Sequence, residues 1–167
     1  VGEVLTARAL SSAEVNTLIV RDFEFFEKNF SHGLVIKESE LAYDGKGVFV
    51  FLPEEFEKLR TLTHRLNETG HPWYLEERIP FQKELALVFS RSKNGEFVHY
   101  PLAQFESEQG ICSTVFVEGS NSGLMAELEK QAVAIARDLS LKLNWCGTAA
   151  IEFFFSEQNG LMINEFA

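Results

Sequence analysis

The chain has 167 residues, 46% of them hydrophobic and 16 of them phenylalanine, enough to bury one or two small cores and too apolar for a disordered segment. Acidic residues outnumber basic ones by 25 to 15, and the formal charge of -10 repels phosphate backbones, which argues against nucleic acid as a partner. No apolar run approaches the roughly 20 residues a bilayer crossing needs, and no signal peptide is visible, so a membrane partner is not expected either.

Along the chain, Ser11-Ser12-Ala13-Glu14 fits a capping box, with Ser11 as the N-cap and Glu14 reaching back to it. Asn16–Val20 then reads as a strand. Arg21–Phe30 reads as a helix that buries Phe23, Phe26 and Phe30 and stops at Gly33. "GLVIK" (Gly33–Lys37) and "VFVF" (Val48–Phe51) read as strands flanking the loop Tyr43-Asp44-Gly45-Lys46-Gly47. Pro53 suits the first turn of a helix carrying Phe56, Leu59, Leu62 and Leu66 on one stripe, and Gly70 ends it.

"PWYLEER" (Pro72–Arg78) is a short strand that turns polar at Glu76, Glu77 and Arg78. The shift marks a candidate hinge between a small lobe, residues 1–75, and part of a larger one, residues 76–167. In the second lobe "ELALVFSR" and "EFVHYPL" flank Ser92-Lys93-Asn94-Gly95, a hairpin signal, and "ICSTVFVEG" adds a strand. Residues 123–143 give the clearest helix, with Leu124, Leu128, Ala132, Ile135, Leu139 and Leu143 at three- and four-residue steps. "TAAIEFFF" and "LMINEFA" close as a hairpin around Glu157-Gln158-Asn159-Gly160. The order of elements reads as α+β.

Cys112 and Cys146 lie in contexts that suggest burial, and two isolated thiols suit a reducing compartment, most simply the cytoplasm. The chain lacks an initiator methionine and stops directly after a strand-like segment, so a fragment of something longer is expected. His32, His64, His71 and His99 show no metal-ligand spacing.

Three groups of residues could carry chemistry. The glycines of the Tyr43–Gly47 loop permit positive φ and let backbone N–H groups approach a phosphate, and Lys37 could add an ammonium; taken alone, the loop reads first as a charged surface turn. Glu152 and Glu165 each sit in an apolar strand. A carboxylate there needs a partner, and a tight hairpin would set the two acids side by side. Mg²⁺ between them fits best, since it bridges one or two carboxylates to substrate phosphates, with Asn164 adding a neutral oxygen; the other reading leaves one glutamate solvated at a sheet edge. A four-residue loop, Glu157 to Gly160, would place Ser156 opposite Leu161 and Glu152 opposite Glu165. Finally, the hinge strand offers backbone groups to an adenine edge, and Glu84 could accept both ribose hydroxyls, although glutamates are also ordinary surface residues.

Taken in order, "LVIKESELAYDGKG", "WYLEERIPFQKELALVFSR", "YPL", "QGIC" and "IEFFFSEQNGLMINEFA" resemble the ATP-grasp ligases, within them the carboxyaminoimidazole ribonucleotide synthetases of purine biosynthesis, from about Gly33 to Ala167. The resemblance implies an ATP-grasp fold of two lobes, each an antiparallel sheet packed by helices, with the nucleotide between them. It implies ATP and Mg²⁺ as cofactors, bicarbonate and aminoimidazole ribonucleotide as substrates, and a carboxyphosphate intermediate; a homodimer is one assembly open to the parent. The glycine loop would close over the ATP phosphates, with Gly45 and Gly47 in contact and Tyr43 and Asp44 facing the acceptor. Lys37, joined by Lys46, would meet the phosphates. Glu76 and Glu77 would sit at the adenine hinge, Glu84 at the ribose, Asn164 near the nucleotide, and Glu152 and Glu165 would hold the metal.

After "YPL" the family usually has a glutamate and, three residues on, a histidine; here those places hold Gln104 and Ser107. Another ATP-grasp carboxylate–amine ligase, or a nucleotide-binding module without turnover, therefore stays open.

Overall fold

The computed structural model describes residues 5–6, 9–21, 24–39, 47–108, 111–117 and 123–167. The loop residues Tyr43, Asp44, Gly45 and Lys46, and Phe23, lie outside them. The chain divides into a smaller unit, Ala7–Pro80 with Gln109–Ile111, and a larger one, Val1–Thr6, Phe81–Glu108 and Cys112–Ala167. The dividing point falls at Pro80, and the first residues belong to the second unit because β1 (Leu5–Thr6) runs parallel to the last strand, with Leu5 opposite Met162.

In the smaller unit β2 (Ala9–Ser11) leads into α1 (Ser12–Arg21). The capping box forms as expected: Ser11 N donates to Glu14 Oε2 at 2.8 Å and Ser11 Oγ to the same oxygen at 2.6 Å. These bonds hold the Glu14 carboxyl below its usual pKa. The strand expected over Asn16–Val20 is instead part of α1. The capped first turn outweighs the β-branched residues, and Asn16 exchanges amide hydrogen bonds with Asn67, 3.1 and 2.9 Å, which ties the helix to a residue 51 positions away. Such a tertiary pair is invisible to local periodicity.

After α2 (Glu24–Asn29) come β3 (Leu34–Glu38), β4 (Val48–Phe51), α3 (Glu57–Thr69) and β5 (Trp73–Glu77). A single 3₁₀ turn, Pro53–Glu55, precedes α3, and Gly70 caps it at φ 71°. The sheet order is β2-β5-β3-β4, antiparallel throughout. Phe26, Phe30, Leu34, Ile36, Phe56, Leu59 and Leu75 are buried in its core. The alternation along β3 and β5 therefore leaves Val35, Lys37, Tyr74 and Glu76 on the other face.

The larger unit is one sheet ordered β1-β11-β10-β6-β8-β9, with β7 also paired to β6. Its strands are β6 (Lys83–Arg91), β7 (Phe97–His99), β8 (Ala103–Glu108), β9 (Ile111–Phe116), β10 (Gly147–Ser156) and β11 (Gly160–Phe166). β8 carries no apolar alternation to announce it, "AQFESE" being mostly polar, and its pairing with β6 defines it. One face is packed by α4 (Gly123–Lys142).

The buried row of α4 is Met125, Leu128, Ala132, Ala136 and Ser140, rotated from the expected stripe; Leu124 and Leu143 are exposed. Small residues at 132, 136 and 140 let the helix approach the sheet closely, and Ile135 and Leu139 fill its flank. The helix ends in a Schellman motif: Asn144 is left-handed at φ 50°, Trp145 N bonds Ser140 O at 2.8 Å, and Asn144 N bonds Leu141 O at 3.0 Å. Cys112 and Cys146 are both exposed, against the expected burial, because β9 is an edge strand exposed along its whole length and Cys146 sits in the turn after the helix cap.

Candidate functional site

In the larger unit Leu85, Leu87 and Phe89 of β6 and Ile151, Phe153 and Phe155 of β10 face the α4 core, so Glu84, Ala86, Glu152 and Phe154 between them face the other way. Across the ladder Glu84 pairs with Phe154 and Ala86 with Glu152. The two acids are therefore one rung-pair apart on one open face.

The β10–β11 hairpin completes this face by an unexpected route. The loop is three residues, Glu157–Asn159, and Gly160, at φ 70°, already pairs with Ser156. The ladder then runs Phe155 to Leu161, Phe154 to Met162 and Phe153 to Ile163, one residue off the expected register. A bulge after Phe153 inserts one residue and restores the expected pair, Glu152 opposite Glu165. The core confirms it: Leu161, Ile163 and Phe166 pack with the α4 side, so two residues, Asn164 and Glu165, fall between successive core positions. Glu152, Asn164 and Glu165 thus share the open face.

Beside Glu84 the open face carries its own apolar patch. Phe81 stacks on Phe154, ring centroids 4.4 Å apart and 3° from parallel. Phe105, opposite Glu84, and Met162, opposite Phe154, are buried yet lie outside the α4 core. A groove of about 400 Å³ runs past Phe81, Glu84, Phe105 and Ser107. Burial in this setting raises the Glu84 pKa, and a hydrogen bond from Ser107 opposes the rise. On the reverse side of β6, Lys83 Nζ donates to Gln104 Oε1 at 2.7 Å. The two positions that depart from the family pattern, Gln104 and Ser107, are therefore the partners of Lys83 and Glu84.

The raised pKa has a consequence for stability. A carboxyl harder to ionise in the folded state than in the unfolded one favours folding below both pKa values. That contribution is lost as pH rises through the folded value. Glu84→Gln is expected to be at least as stable as the parent at pH 7 and to lose this pH dependence. Urea midpoints measured between pH 4 and 7 check it; identical slopes in both proteins would contradict it.

In the smaller unit Lys37 Nζ meets Glu76 Oε2 at 2.7 Å, a diagonal pair across β3 and β5 with both side chains about one-fifth exposed (19% and 20%). Glu77 follows Trp73 and Leu75 along β5 and so faces opposite to Glu76. Gly47, at φ 77°, starts the return into β4, and its carbonyl accepts from Glu38 N at 2.9 Å. Among the described residues no cluster of three His, Cys, Asp or Glu side chains could hold a metal by itself. A pair of carboxylates with an amide beside them is an all-oxygen set that suits Mg²⁺ only in company with substrate phosphates.

Residues 9–167 match the family model described as the ATP-grasp domain. The chain belongs to the ATP-grasp family. Phosphoribosylaminoimidazole carboxylase of Candida albicans is 33% identical over 158 residues, covering 93% of this chain and 26% of that protein. The N5-carboxyaminoimidazole ribonucleotide synthase of Synechococcus elongatus is 34% identical over 135 residues, 80% of this chain and 32% of its own. A crystal structure of the ADP complex of an N5-carboxyaminoimidazole ribonucleotide synthetase superposes with a TM-score of 0.78 at 27% identity, over 98% of this chain and 40% of that one. The ATP-grasp chain thus spans about a quarter to a third of the curated relatives it matches. The α+β class and the ATP-grasp fold expected from the sequence hold.

Proposed function

We propose that this ATP-grasp chain is the nucleotide-holding part of a carboxyaminoimidazole ribonucleotide synthetase. In that reaction ATP phosphorylates bicarbonate, and the carboxyphosphate formed carboxylates the amine of aminoimidazole ribonucleotide. The observation that carries the reading is the open face on which Glu152, Asn164 and Glu165 converge one rung-pair from Glu84.

Glu152 and Glu165 would hold Mg²⁺, with Asn164 beside them, and Mg²⁺ bound there supplies charge neutralisation for phosphate oxygens. Lys37, paired with Glu76, offers an ammonium to the same class of oxygens. Lys46, Gly45 and Gly47 are assigned to the phosphates, Tyr43 and Asp44 to the acceptor, and Glu76 and Glu77 to the adenine hinge. Glu84, as a carboxylate, accepts hydrogen bonds from ribose hydroxyls. The stacked rings of Phe81 and Phe154 give that position an apolar wall. The cytoplasm is the compartment that this reading assigns, because two free thiols suit a reducing environment.

Because Gln104 and Ser107 engage Lys83 and Glu84, a different acceptor, and so another ATP-grasp carboxylate–amine ligase, is the second reading. Bicarbonate-dependent ATP hydrolysis by the parent protein separates the two. Stimulation by aminoimidazole ribonucleotide is the expected result; hydrolysis indifferent to it would favour the second reading.

A further inference from the structure

We propose that Phe166 is the positioning residue of the acid pair: its ring, lodged against Trp145 and Phe89, holds the bulge that turns Asn164 and Glu165 together onto the open face. This deepens the reading of Glu152 and Glu165 as metal-holding residues and rests on it for its functional consequence.

From the turn, the ladder runs Ser156 opposite Gly160 to Phe153 opposite Ile163. Continued without interruption, it would set Glu152 against Asn164, Ile151 against Glu165 and Ala150 against Phe166. Ile151 is fully buried, so that register drives the Glu165 carboxylate toward the core and the Phe166 ring onto the open face. The extra residue reverses both placements, and Phe166 lands opposite Ile151.

There its ring meets Trp145 edge-on, centroids 5.1 Å apart at 83°, and Phe89 at 6.3 Å and 60°. Trp145 is itself fixed, by the helix-capping bond to Ser140 and by Arg91 Nη1, which donates to its carbonyl at 2.8 Å. Its buried Nε1 meets no acceptor among the described residues, so the indole serves as a ring surface. Beyond the bulge, pairing resumes with Ala150 N to Ala167 O at 2.8 Å and Ala167 N to Ala150 O at 3.0 Å. The two registers differ by one residue of ladder. The partial burial of Phe166 against the core, with the exposure of Glu165, decides between them.

The test reads register directly, without metal. In a Cys112→Ser/Cys146→Ser background, Glu152→Cys and Glu165→Cys stand directly opposite and should close a disulfide on mild oxidation. Adding Phe166→Ala should slow closure about tenfold, in line with the energy of an aromatic pair, and Phe166→Leu about threefold. Trp145→Phe keeps the ring contact and should leave the rate unchanged. Equal rates in parent and Phe166→Ala would overturn the proposal; if alanine unfolds the unit by circular dichroism, equal rates in parent and Phe166→Leu would do so.

In the glutamate-containing chain, calorimetry should show Mg-ATP affinity falling about tenfold with Phe166→Ala and partly recovering with Phe166→Leu. Slowed cross-linking with Mg-ATP affinity unchanged in both Phe166→Ala and Glu165→Gln would uphold the anchor and overturn the metal reading.

Discussion

Replacing Gly33 with alanine is expected to unfold the smaller unit at temperatures where the parent is folded. Gly33 sits at φ 96°, where an L side chain is strained, and a Cβ built on it falls onto the carbonyl oxygen of Phe51 and within 3.4 Å of Arg78 Cδ. The Phe51 carbonyl cannot yield easily, because Phe51 is paired with Leu34 in the β3–β4 ladder, and the turn is held further by Arg78 N, which donates to Gly33 O at 3.0 Å. Strain at such a backbone position costs about 1–3 kcal/mol. Overpacking against backbone adds about as much again. Set against a total stability of roughly 5–15 kcal/mol, the sum is a large share. Thermal denaturation followed by circular dichroism should show the variant's transition lowered by on the order of 10 °C or more; a midpoint within a degree or two of the parent would mean the turn relaxes freely.

Removing either charge of the acid pair is expected to act in opposite directions with and without ligand. Glu152 and Glu165 face each other across the β10–β11 ladder, and like charges directly opposed destabilise a sheet by about 0.2–1 kcal/mol. In metal-free solution Glu152→Gln or Glu165→Gln should therefore keep the fold and gain slightly in stability. On the proposal that the pair holds Mg²⁺, the same change takes away one of its two anionic oxygens, and Mg-ATP affinity should fall by a factor of about ten or more. Denaturation midpoints in EDTA and calorimetric titrations with Mg-ATP measure the two effects on the same samples. A loss of stability in EDTA would show that the carboxylates serve the fold.

The parts of this fold that sequence makes legible are those set by local period and by glycine. The stripe Phe56, Leu59, Leu62, Leu66 is buried as expected, and Gly70 caps its helix. β3, β4, β5, β6, β10 and β11 follow their apolar patterns. What was not legible depends on contacts distant in sequence. Past its legible cap, α1 is tied down by the Asn16–Asn67 pair, β1 joins β11 across the length of the chain, and α4 turns its small residues toward the sheet.

The acid pair lies between these cases. Two glutamates in apolar strands around a tight loop led to the correct partner, yet through a loop one residue too long. The structure reaches the same pair with a shorter loop and a bulge, and nothing in "LMINEFA" taken alone tells where an extra residue will sit. The sequence points to phosphates for Lys37 and to the hinge for Glu76, and the salt bridge joins the two.

The most direct measurement is a calorimetric titration of ATP into this chain in the presence of Mg²⁺ and again in EDTA. The account predicts saturable binding with Mg²⁺ that weakens at least tenfold in EDTA, because the acid pair proposed for the metal would repel a bare triphosphate and accept its magnesium complex. Binding of equal strength in both conditions, or none in either, would contradict it.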